Sequence, residues 1–295
     1  MYMKTIAVTV NWNRVEDTLA CIASLRAQRP VPPQVIVVDN GSSDDSVAQL
    51  RATVPEVMLI PSKRNLGFSG GYNLGIQQAL ALGATHVLII NNDAILAPNA
   101  LATLLQYAAP DVGALSPVIY HALPNRVIWS LGGRTHPLTL EKSNSWVGQP
   151  DPGTLPPVIE QDFLTGCILL LPRATLETVG LFDEGFWLYY EDMDFSRRVR
   201  LAGLRMLTVT KAHAWHKVAS SSGGSDSPSE RYWMARSSIR FFRKHGGGWR
   251  MLFILPYRLG SALKTSLRLV THGRVQALRA YWRGLRDGLC EEMQR

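Results

Sequence analysis

The stretch Val87-Leu88-Ile89-Ile90-Asn91-Asn92-Asp93-Ala94 changes from four aliphatic residues to three polar ones without a transition. Four consecutive aliphatic side chains are typical of a strand buried on both faces, as in a parallel sheet. Open α/β sheets bind ligands outside the carboxyl ends of their strands. A carboxylate and an amide oxygen placed there suit a hard cation that bridges the protein and a diphosphate. An ordinary turn uses the same residue types, so this segment alone leaves both interpretations open.

The segments around this stretch alternate between strand-like and helical patterns. Buried strands are predicted at 6–10, 35–38, 57–60 and 86–91, and helices at 16–28, from about 44 to 54, and from after Asn73 to Leu82. Three alternations before the Asn-Asn-Asp predict an α/β fold with a mostly parallel, doubly wound sheet and helices on both faces.

The rest of the chain predicts further elements around an irregular region. We expect a helix near 98–107 and strands near 112–120, 163–171 and 204–210, with a helix from 191 to about 202. Residues 121–160 are rich in Pro and Gly and read as an irregular insertion with a hairpin, and 220–229 as a Ser-rich loop. Residues 1–229 are therefore predicted to form the catalytic domain, and 230–295 a basic, amphipathic helical extension.

Composition excludes several protein classes. The chain has 295 residues and is 46% hydrophobic, which is ample for a core. No apolar run approaches the roughly 20 residues of a membrane-spanning helix, and the N-terminus lacks the pattern of a signal peptide. The three cysteines, Cys21, Cys167 and Cys290, are far apart, which favours a reducing compartment over a disulfide framework. We expect a cytoplasmic protein.

The charge is concentrated near the C-terminus. Residues 231–295 hold 14 Lys/Arg and 3 Asp/Glu, a net +11, and the remainder holds 17 and 20, a net −3, which together give +8. Aromatic, aliphatic and Arg residues mix in Trp249–Tyr257 and again in Tyr281-Trp282-Arg283. Basic amphipathic helices of this kind suit the inner surface of a membrane. The alternative is packing on the catalytic domain or on a second subunit, as in a homodimer. Nucleic acid is disfavoured because the basic residues have many apolar neighbours.

Two clusters of polar or glycine residues follow the second and third predicted strands. Asp39 ends the second strand, where an acid accepts hydrogen bonds from a base or a ribose or else caps the next helix. Gly67, Gly70 and Gly71 allow close backbone approach, and the following helix N-terminus favours anions such as a phosphate beside Arg64. The spacing matches neither Gly-x-Gly-x-x-Gly nor a Walker loop.

Two further clusters carry candidate chemistry. Glu191-Asp192 follows an aromatic run that includes Trp187 and Tyr190, and a carboxylate near apolar rings gains proton affinity, as a general base requires. The alternative is a structural role, in which acidic residues in the first turn of a helix interact favourably with the helix dipole. His216 follows a strand; a lone His is usually structural, but near a diphosphate it could ligate a cation or donate to a phosphate oxygen.

The ordered set of motifs resembles a family 2 glycosyltransferase of the GT-A fold, in its rhamnosyltransferase-like branch. The resemblance spans about residues 4–245. Its motifs are Val10-Asn11-Trp12-Asn13, Val38–Asp44, Asn65–Gly75, Leu88–Asp93, Thr165-Gly166, Leu181–Glu184 and Tyr190–Phe195. Each motif alone is moderate evidence, and together in this order they are strong evidence.

Site roles follow from the resemblance by matching position. It implies a donor nucleotide bound by Asn11, Asp39, Arg64, Asn65, Gly67, Gly71, Asn73 and Asn92. It implies a divalent metal, Mg²⁺ or Mn²⁺, held by Asp93, Asn91 and His216. It implies Asp192 as the catalytic base with Glu191 beside it, and Gly166, Trp187 and Tyr190 at the donor sugar or acceptor. Asn91 departs from the first acid of the family's Asp-x-Asp element, so metal affinity would depend more on Asp93 and His216.

These patterns predict a metal-dependent, inverting glycosyltransferase. The expected donor is a dTDP- or UDP-sugar, with dTDP-rhamnose as one candidate, and the expected acceptor is a cell-surface glycan or a lipid-linked one. Two alternatives stay open. A sugar-phosphate nucleotidyltransferase would need a Gly-rich basic loop after the first strand, and Asn11-Trp12-Asn13-Arg14 is not one. A non-catalytic nucleotide- or glycan-binding relative would not need Asp93, Glu191 and Asp192.

Overall fold

A computed structural model describes residues 3–122, 126–144, 146–217 and 226–291. Its centre is one large sheet with the strand order β10-β12-β6-β11-β4-β1-β2-β3, numbered along the chain as below. The predicted α/β fold, a sheet with helices on both faces, is confirmed.

The first part of the chain alternates strands and helices as predicted. Its elements are β1 (Thr5–Asn11), α1 (Val15–Arg26), β2 (Gln34–Asp39), α2 (Ser46–Thr53), β3 (Met58–Pro61), α3 (Gly67–Ala81), β4 (His86–Ile90), β5 (Ala94–Leu96) and α4 (Ala100–Leu105). β1 pairs in parallel with β2 and with β4, and β2 pairs in parallel with β3. Val87 to Ile90 are fully buried, as their unbroken apolar run requires.

The second part of the chain adds antiparallel pairs, so the sheet is mixed. Its elements are β6 (Val112–His121), β7 (Ile128–Ser130), β8 (Arg134–Thr135), β9 (Lys142–Ser143), β10 (Val158–Gln161), β11 (Ile168–Pro172), α5 (Arg173–Val179), α6 (Glu191–Leu201) and β12 (Arg205–His216). β11 lies antiparallel between β4 and β6, and β12 runs parallel to β6. The carboxyl ends of β1, β2, β4, β6 and β12 and the start of β11 therefore meet at one edge, which we call the site edge.

Helices cover both faces of the sheet, as predicted. One core joins Ala7, Val37 and Leu88 from the strands to Ile22 and Leu25 of α1. The other core joins alternate strand residues, such as Ile6 and Val8, to Ile76 of α3, Leu176 of α5 and Phe195 of α6. Successive strand residues point to opposite faces, so each buried strand contributes to both cores and is apolar throughout.

Four sequence predictions of element boundaries need correction. The helix predicted to start after Asn73 begins at Gly67, so the glycine segment forms its first turns. The strand predicted at 163–171 begins only at Ile168. The region 121–160 is more regular than predicted, because it holds four short strands, although β8 and β9 do form the expected hairpin; 123–125 and 145 lie outside the described residues. Most of the loop predicted at 220–229 also lies outside them. Its end is helical, because Ser227 Oγ accepts from Glu230 N and Pro228 opens the helix.

Three helices follow: α7 (Pro228–His245), α8 (Met251–Thr271) and α9 (Val275–Cys290). Residues 246–250, which include a 3₁₀ turn at Gly248–Arg250, separate α7 from α8, and residues 272–274 separate α8 from α9. α7 packs against α9 and also lies on the catalytic part of the chain, where Arg240 and Lys244 pair with Asp183. The predicted domain boundary after residue 229 stays a prediction. None of the helices in the described ranges combines the length and apolar character that crossing a bilayer demands.

Candidate active site

The tips of β1, β2 and β4 are joined by hydrogen bonds between buried side chains. Asn11 Nδ2 donates to Asp39 Oδ2 at 2.8 Å, and Thr18 Oγ1 donates to Asn11 Oδ1 at 2.7 Å. Asn92 Nδ2 donates to Thr18 Oγ1 at 3.0 Å. Asp39 also accepts from Ser42 Oγ at 2.6 Å and from Ser42 N at 3.1 Å. We call this group of five residues the strand-tip network. Three of the predicted nucleotide ligands, Asn11, Asp39 and Asn92, belong to it.

A second set of contacts shapes the loop between β3 and α3. Asn40 Nδ2 donates to Asn65 Oδ1 at 3.1 Å and to Gly67 O at 2.9 Å, and Asn40 Oδ1 accepts from Leu66 N. Gly67 has φ +72°, and a Cβ there would lie 2.3 Å from Trp187 O. The residue must therefore be Gly for two reasons, its left-handed backbone and its close contact with the segment before α6.

The remaining predicted nucleotide ligands have different surroundings. Arg64 is exposed in the loop before α3. Gly71 lies in α3, where a Cβ would be 3.1 Å from Val10 Cγ1 and from Asn40 Nδ2. Asn73 fixes the chain before α6, since its Nδ2 donates to Phe182 O at 2.8 Å and its Oδ1 accepts from Phe182 N at 3.0 Å. The side chain of Asn73 thus joins two loops, a role that spacing alone does not indicate.

The predicted metal residues meet where β4 and β12 end. His216 Nε2 lies 3.0 Å from Asp93 Oδ1, and both side chains are more than 90% buried. They come together because β5, which follows Asp93, pairs with the end of β12 and places His216 opposite Ala94. Asn91 Oδ1 accepts from Tyr72 OH at 3.1 Å. Burial lowers the pKa of His216, but Cys167 and Asp93 together raise that pKa to about 10. Because only a neutral imidazole can ligate a metal, a bound cation would have to displace the proton from His216 Nε2.

The arrangement of Asp93 and His216 is compatible with a shared cation. Two ligands at right angles around an octahedral cation, each about 2.1 Å from it, lie about 3 Å apart. The observed 3.0 Å between Asp93 Oδ1 and His216 Nε2 matches that spacing. Within the described ranges, no cluster of three or more His, Cys, Asp or Glu residues could hold a metal ion. Water and diphosphate oxygens would have to complete the shell, as is usual for Mg²⁺.

The start of α6 has an unusual backbone. Tyr189 and Tyr190 have φ of 65° and 66°, and each non-glycine residue in the left-handed region costs about 1–3 kcal/mol. Packing offsets this cost, because the ring of Tyr190 lies 5.5 Å from that of Phe241 and 6.3 Å from that of Phe242 in α7. The sharp turn directs Glu191 and Asp192, the first residues of α6, toward the space that Asn91 and His216 also line.

The two acids at the start of α6 differ in their surroundings. Glu191 is 5% exposed, and its Oε2 has no hydrogen-bond partner among the described residues. Burial, and then the neighbouring Asp192, raise the pKa of Glu191 well above its usual range. Asp192 is half-buried; its Oδ2 accepts from Gly166 N at 3.3 Å and its Oδ1 from Met193 N at 2.8 Å. A carboxylate offers about four acceptor positions, so Asp192 can still accept a proton or a hydroxyl.

A cavity of about 420 Å³ lies at the site edge. Six predicted site residues line it: Asn91, Gly166, Tyr190, Glu191, Asp192 and His216. Gly166 has a steric role here, because a Cβ on it would lie 2.9 Å from Cζ of Phe68, which also lines the cavity. Predicted acid, amide and imidazole groups from four separate parts of the chain therefore face one space.

Trp187, predicted at the donor sugar or acceptor, is not among the residues that line this cavity. Its ring stacks on Trp233 of α7 with centroids 4.4 Å apart, and its carbonyl oxygen accepts from Phe68 N at 2.7 Å. The contacts described for Trp187 hold α7 and α3 to the segment before α6.

Sequence reasoning missed several residues that line the cavity. Trp129 of β7 and Lys142 of β9 come from the region read as irregular, and Glu230 and Met234 come from α7, which was assigned to the extension. The ring of Trp129 lies 4.4 Å from that of His216. The start of α7 has a sequence signal, because Ser227-Pro228 followed by Glu230 is a helix start, but that pattern does not show that the helix lines the cavity.

Comparison with known proteins agrees with this geometry. The sequence profile described as glycosyl transferase family 2 matches residues 6–160, slightly more than half of the chain. The chain belongs to this family. Its match includes the strand-tip network, the loop before α3 and the Asn91–Asp93 segment, and it ends before α6. The glycosyltransferase interpretation is therefore confirmed at the level of the family, and the protein is a glycosyltransferase that uses a nucleotide-sugar donor.

Two curated relatives have similar sequences. An N-acetylglucosaminyl-diphospho-decaprenol L-rhamnosyltransferase of Mycobacterium tuberculosis is 27% identical over 287 residues, covering 90% of this chain and 92% of the relative. The galactofuranosyltransferase GlfT1 of the same organism is 29% identical over 230 residues, covering 75% and 72%.

Two solved structures share the fold. GalNAc-T7 with UDP, GalNAc and Mn²⁺ has a TM-score of 0.60 and 15% identity, and the match covers 88% of this chain and 57% of that one. The mannosyltransferase PcManGT of Pyrobaculum calidifontis, with GDP-Man and Mn²⁺, has a TM-score of 0.58 and 17% identity, covering 98% and 76%. At these identities the likeness concerns the fold alone.

Proposed function

We propose that this family 2 member is an inverting, divalent-cation-assisted glycosyltransferase. It moves a sugar, with L-rhamnose from dTDP-rhamnose as the leading candidate, to a hydroxyl of a glycan or lipid-linked acceptor at the cytoplasmic face of a membrane. The observation that carries the proposal is the shared cavity, in which Asp192 with its spare acceptor positions faces the same space as Asn91 and His216.

The residues at the site edge divide between the nucleotide and the diphosphate. Asn11, Asp39 and Asn92 would shape the pocket for base and ribose, with Arg64, Asn65 and Gly67 along the phosphates, while Gly71 and Asn73 in α3 would support that loop from behind. Asp93 and His216 would hold the cation, assisted by Asn91, whose neutral oxygen makes a weaker ligand than a carboxylate. When bound, that cation would stabilise the charge that develops on the leaving diphosphate.

Asp192 would act as the base. It accepts the proton of the acceptor hydroxyl while the oxygen forms its bond to the anomeric carbon. The bond from that carbon to the diphosphate oxygen breaks, and its electron pair leaves with the nucleoside diphosphate. Attack from the side opposite to departure inverts the configuration. The start of α6 supports the ionised carboxylate, because a helix N-terminus favours negative charge. Glu191, with its raised pKa, is held uncharged behind it.

Sequence likeness supports the choice of sugar and acceptor. The rhamnosyltransferase that matches 90% of this chain at 27% identity transfers to an N-acetylglucosaminyl-diphospho-decaprenol, according to its name. An apolar cavity wall that includes Trp129 and Met234, with Lys142 at its edge, suits a sugar face beside an anionic group, since aromatic rings pack on apolar faces and cations pair with phosphate.

Replacement of Asp192 by Asn tests the proposed base. We expect kcat for sugar transfer to fall about 10³-fold, because general-base catalysis contributes about 10²–10⁴-fold. The affinity for the donor nucleotide in titration with Mn²⁺ should change by less than about threefold, because the side chain acts on the acceptor. Addition of EDTA should weaken nucleotide binding equally in both proteins.

The matched control is Asp111→Asn. Asp111 precedes β6 at the opposite edge of the sheet and pairs with exposed Arg205, so its loss should leave kcat unchanged. Normal turnover by Asp192→Asn would remove the proposed base, and a product with retained anomeric configuration would contradict the inverting mechanism.

A further inference from the structure

α8 carries a stripe of exposed aliphatic residues along its whole length. The stripe consists of Leu252, Leu259, Leu263, Leu267 and Val270, which are between 57% and 75% exposed. Their spacings of seven, four, four and three residues place them on one side of a helix. From Leu252 to Val270 the stripe extends over 18 residue steps, or about 27 Å at 1.5 Å per step. Contiguous apolar surface of this kind marks an interaction site.

The opposite side of α8 packs against the rest of the protein. Of the 21 residues of α8, Ile254 and Leu269 are buried. Arg258 lies on this inner side, where its Nη2 donates to Ser238 Oγ at 2.7 Å and its guanidinium lies 4.7 Å from the ring of Phe242. These inner contacts fix the orientation of α8 about its axis. The stripe could therefore face the protein only if those contacts were broken.

Charge identifies the partner. α8 contains Arg258, Lys264 and Arg268 and no acidic residue, and residues 246–290 hold eight Lys/Arg against one Asp. A second copy that docked through the same face would bring like charges together, which opposes association. An anionic bilayer has the complementary charge, and it accepts aliphatic side chains below its headgroups. Exposed Trp249 and Trp282 suit the boundary between headgroups and acyl chains.

We propose that α8 lies in the plane of an anionic membrane surface, with the aliphatic stripe inserted below the headgroups. Lys264, about a third of a turn from the stripe, then lies near the lipid phosphates, whereas Arg268 lies on the far side of α8 and pairs with Asp226. Helix α7 separates α8 from the cavity, because Phe242 of α7, which Arg258 covers, also contacts Tyr190 of the cavity wall. A protein held at the bilayer through α8 would keep its cavity close to the surface that carries a lipid-linked acceptor, a consequence that rests on the proposed function.

Flotation of the full chain with lipid vesicles tests this surface. Vesicles of phosphatidylcholine with phosphatidylglycerol should carry the protein to the top of the gradient, and vesicles of phosphatidylcholine alone should carry much less. Leu259→Glu with Leu263→Glu should reduce the fraction bound to anionic vesicles at least about tenfold, because each exposed leucine loses its burial in the bilayer. Raising the salt concentration should weaken binding of the wild type.

The matched control is Leu201→Glu. Leu201 ends α6 and is 67% exposed, so the same chemical change occurs on an exposed leucine away from α8, and binding should not change. Circular dichroism checks that both variants fold. Equal flotation of wild type and the double variant would overturn the proposal. Failure of the wild type to bind anionic vesicles would also overturn it. If that wild type sedimented as a dimer and the double variant as a monomer, the stripe would instead be an interface between two copies of the chain. Neither donor nor acceptor is present in the assay, so its failure is separate from failure of the proposed reaction.

Discussion

The strand-tip network and the first turn of α6 both present acids at the site edge, but their hydrogen bonding differs. Asp39 in the strand-tip network is 1% exposed and accepts three hydrogen bonds, from Asn11 and Ser42. Asp192 is more exposed and accepts one bond at 3.3 Å and one from the residue that follows it. An acid whose lone pairs are occupied holds the structure together, whereas an acid with spare acceptor positions is available for chemistry.

The largest expected effect on stability is that of Asp39→Ala. This change removes three accepted hydrogen bonds and leaves the amide of Asn11 buried with fewer partners. The free energy of unfolding should fall by about 3 kcal/mol, because buried groups that lose charged partners cost about 1–3 kcal/mol each. Chemical denaturation at neutral pH measures this.

Asp192→Ala is the matched variant for that comparison. Its loss should lower the free energy of unfolding by less than about 1 kcal/mol, because the bonds it makes are few and partly exposed to solvent. Equal losses for the two variants would mean that the number of accepted hydrogen bonds does not separate structural acids from reactive ones at this edge.

Asp194, two residues after Asp192, shows the same contrast within one helix. Its carboxylate is fully buried and lies 2.8 Å from Arg198 Nε, Lys244 Nζ and His245 Nε2. Burial raises the pKa of Asp194, but the bond from His245 and the charges of Arg198 and Lys244 lower that pKa to about 2. Asp194 therefore attaches α7 to α6 as a charged group, and this attachment keeps Glu230 and Met234 at the cavity.

We expect Asp194→Asn to lower the free energy of unfolding at pH 7 by about 2 kcal/mol, the value that a pKa depressed from 3.8 to about 2 implies. Because the folded pKa is below the unfolded one, this stability is present above about pH 4 and is lost as the pH falls toward 2. Denaturation curves across that range measure the difference.

The control for Asp194→Asn is Asp111→Asn. The Asp111 carboxylate is 58% exposed and pairs with Arg205 at 2.7 Å, an exposed ion pair that contributes less than about 1 kcal/mol. A pH-independent loss in Asp194→Asn would show that packing, and not charge, attaches α7 to α6.

Sequence predicted the first half of this fold well because its signals are local. Each buried strand is a continuous apolar run that stops at a polar residue, and Asp39 and Asn91 lie at such stops. The missed parts depend on contacts between distant residues. Arg240 pairs with Asp183 across 57 positions, and no period or spacing announces that α7 belongs to the cavity. β7 and β9 are two or three residues long, too short to show a pattern.

The candidate site was predictable in membership and less so in role. Strand ends located Asn11, Asp39, Asn91 and Asp93, since polar residues after buried strands gather at one edge of a parallel sheet. The sequence could not predict which of these side chains form hydrogen bonds with one another, because that depends on rotamers and on distances set by the whole fold. Asn73 is an example. It does not follow a strand, yet its amide nitrogen and its amide oxygen both form hydrogen bonds with the backbone of Phe182.

Glu191 provides the smallest effect and the most direct check on the contrast, because it is buried and yet has an unsatisfied oxygen. Its raised pKa means that the folded state binds a proton that the unfolded state releases above about pH 4.5. Glu191 therefore destabilises the fold as the pH rises through that value. Glu191→Gln should raise the free energy of unfolding at pH 7 by about 1 kcal/mol, the usual gain when a destabilising group at a functional site is removed, and the gain should vanish near pH 4.

Glu177→Gln, at an exposed side chain paired with Arg173, should show no such dependence. If Glu191→Gln were instead less stable at pH 7, the buried carboxylate would have to be ionised and paired, and the start of α6 would hold two charged acids rather than one base beside one neutral acid.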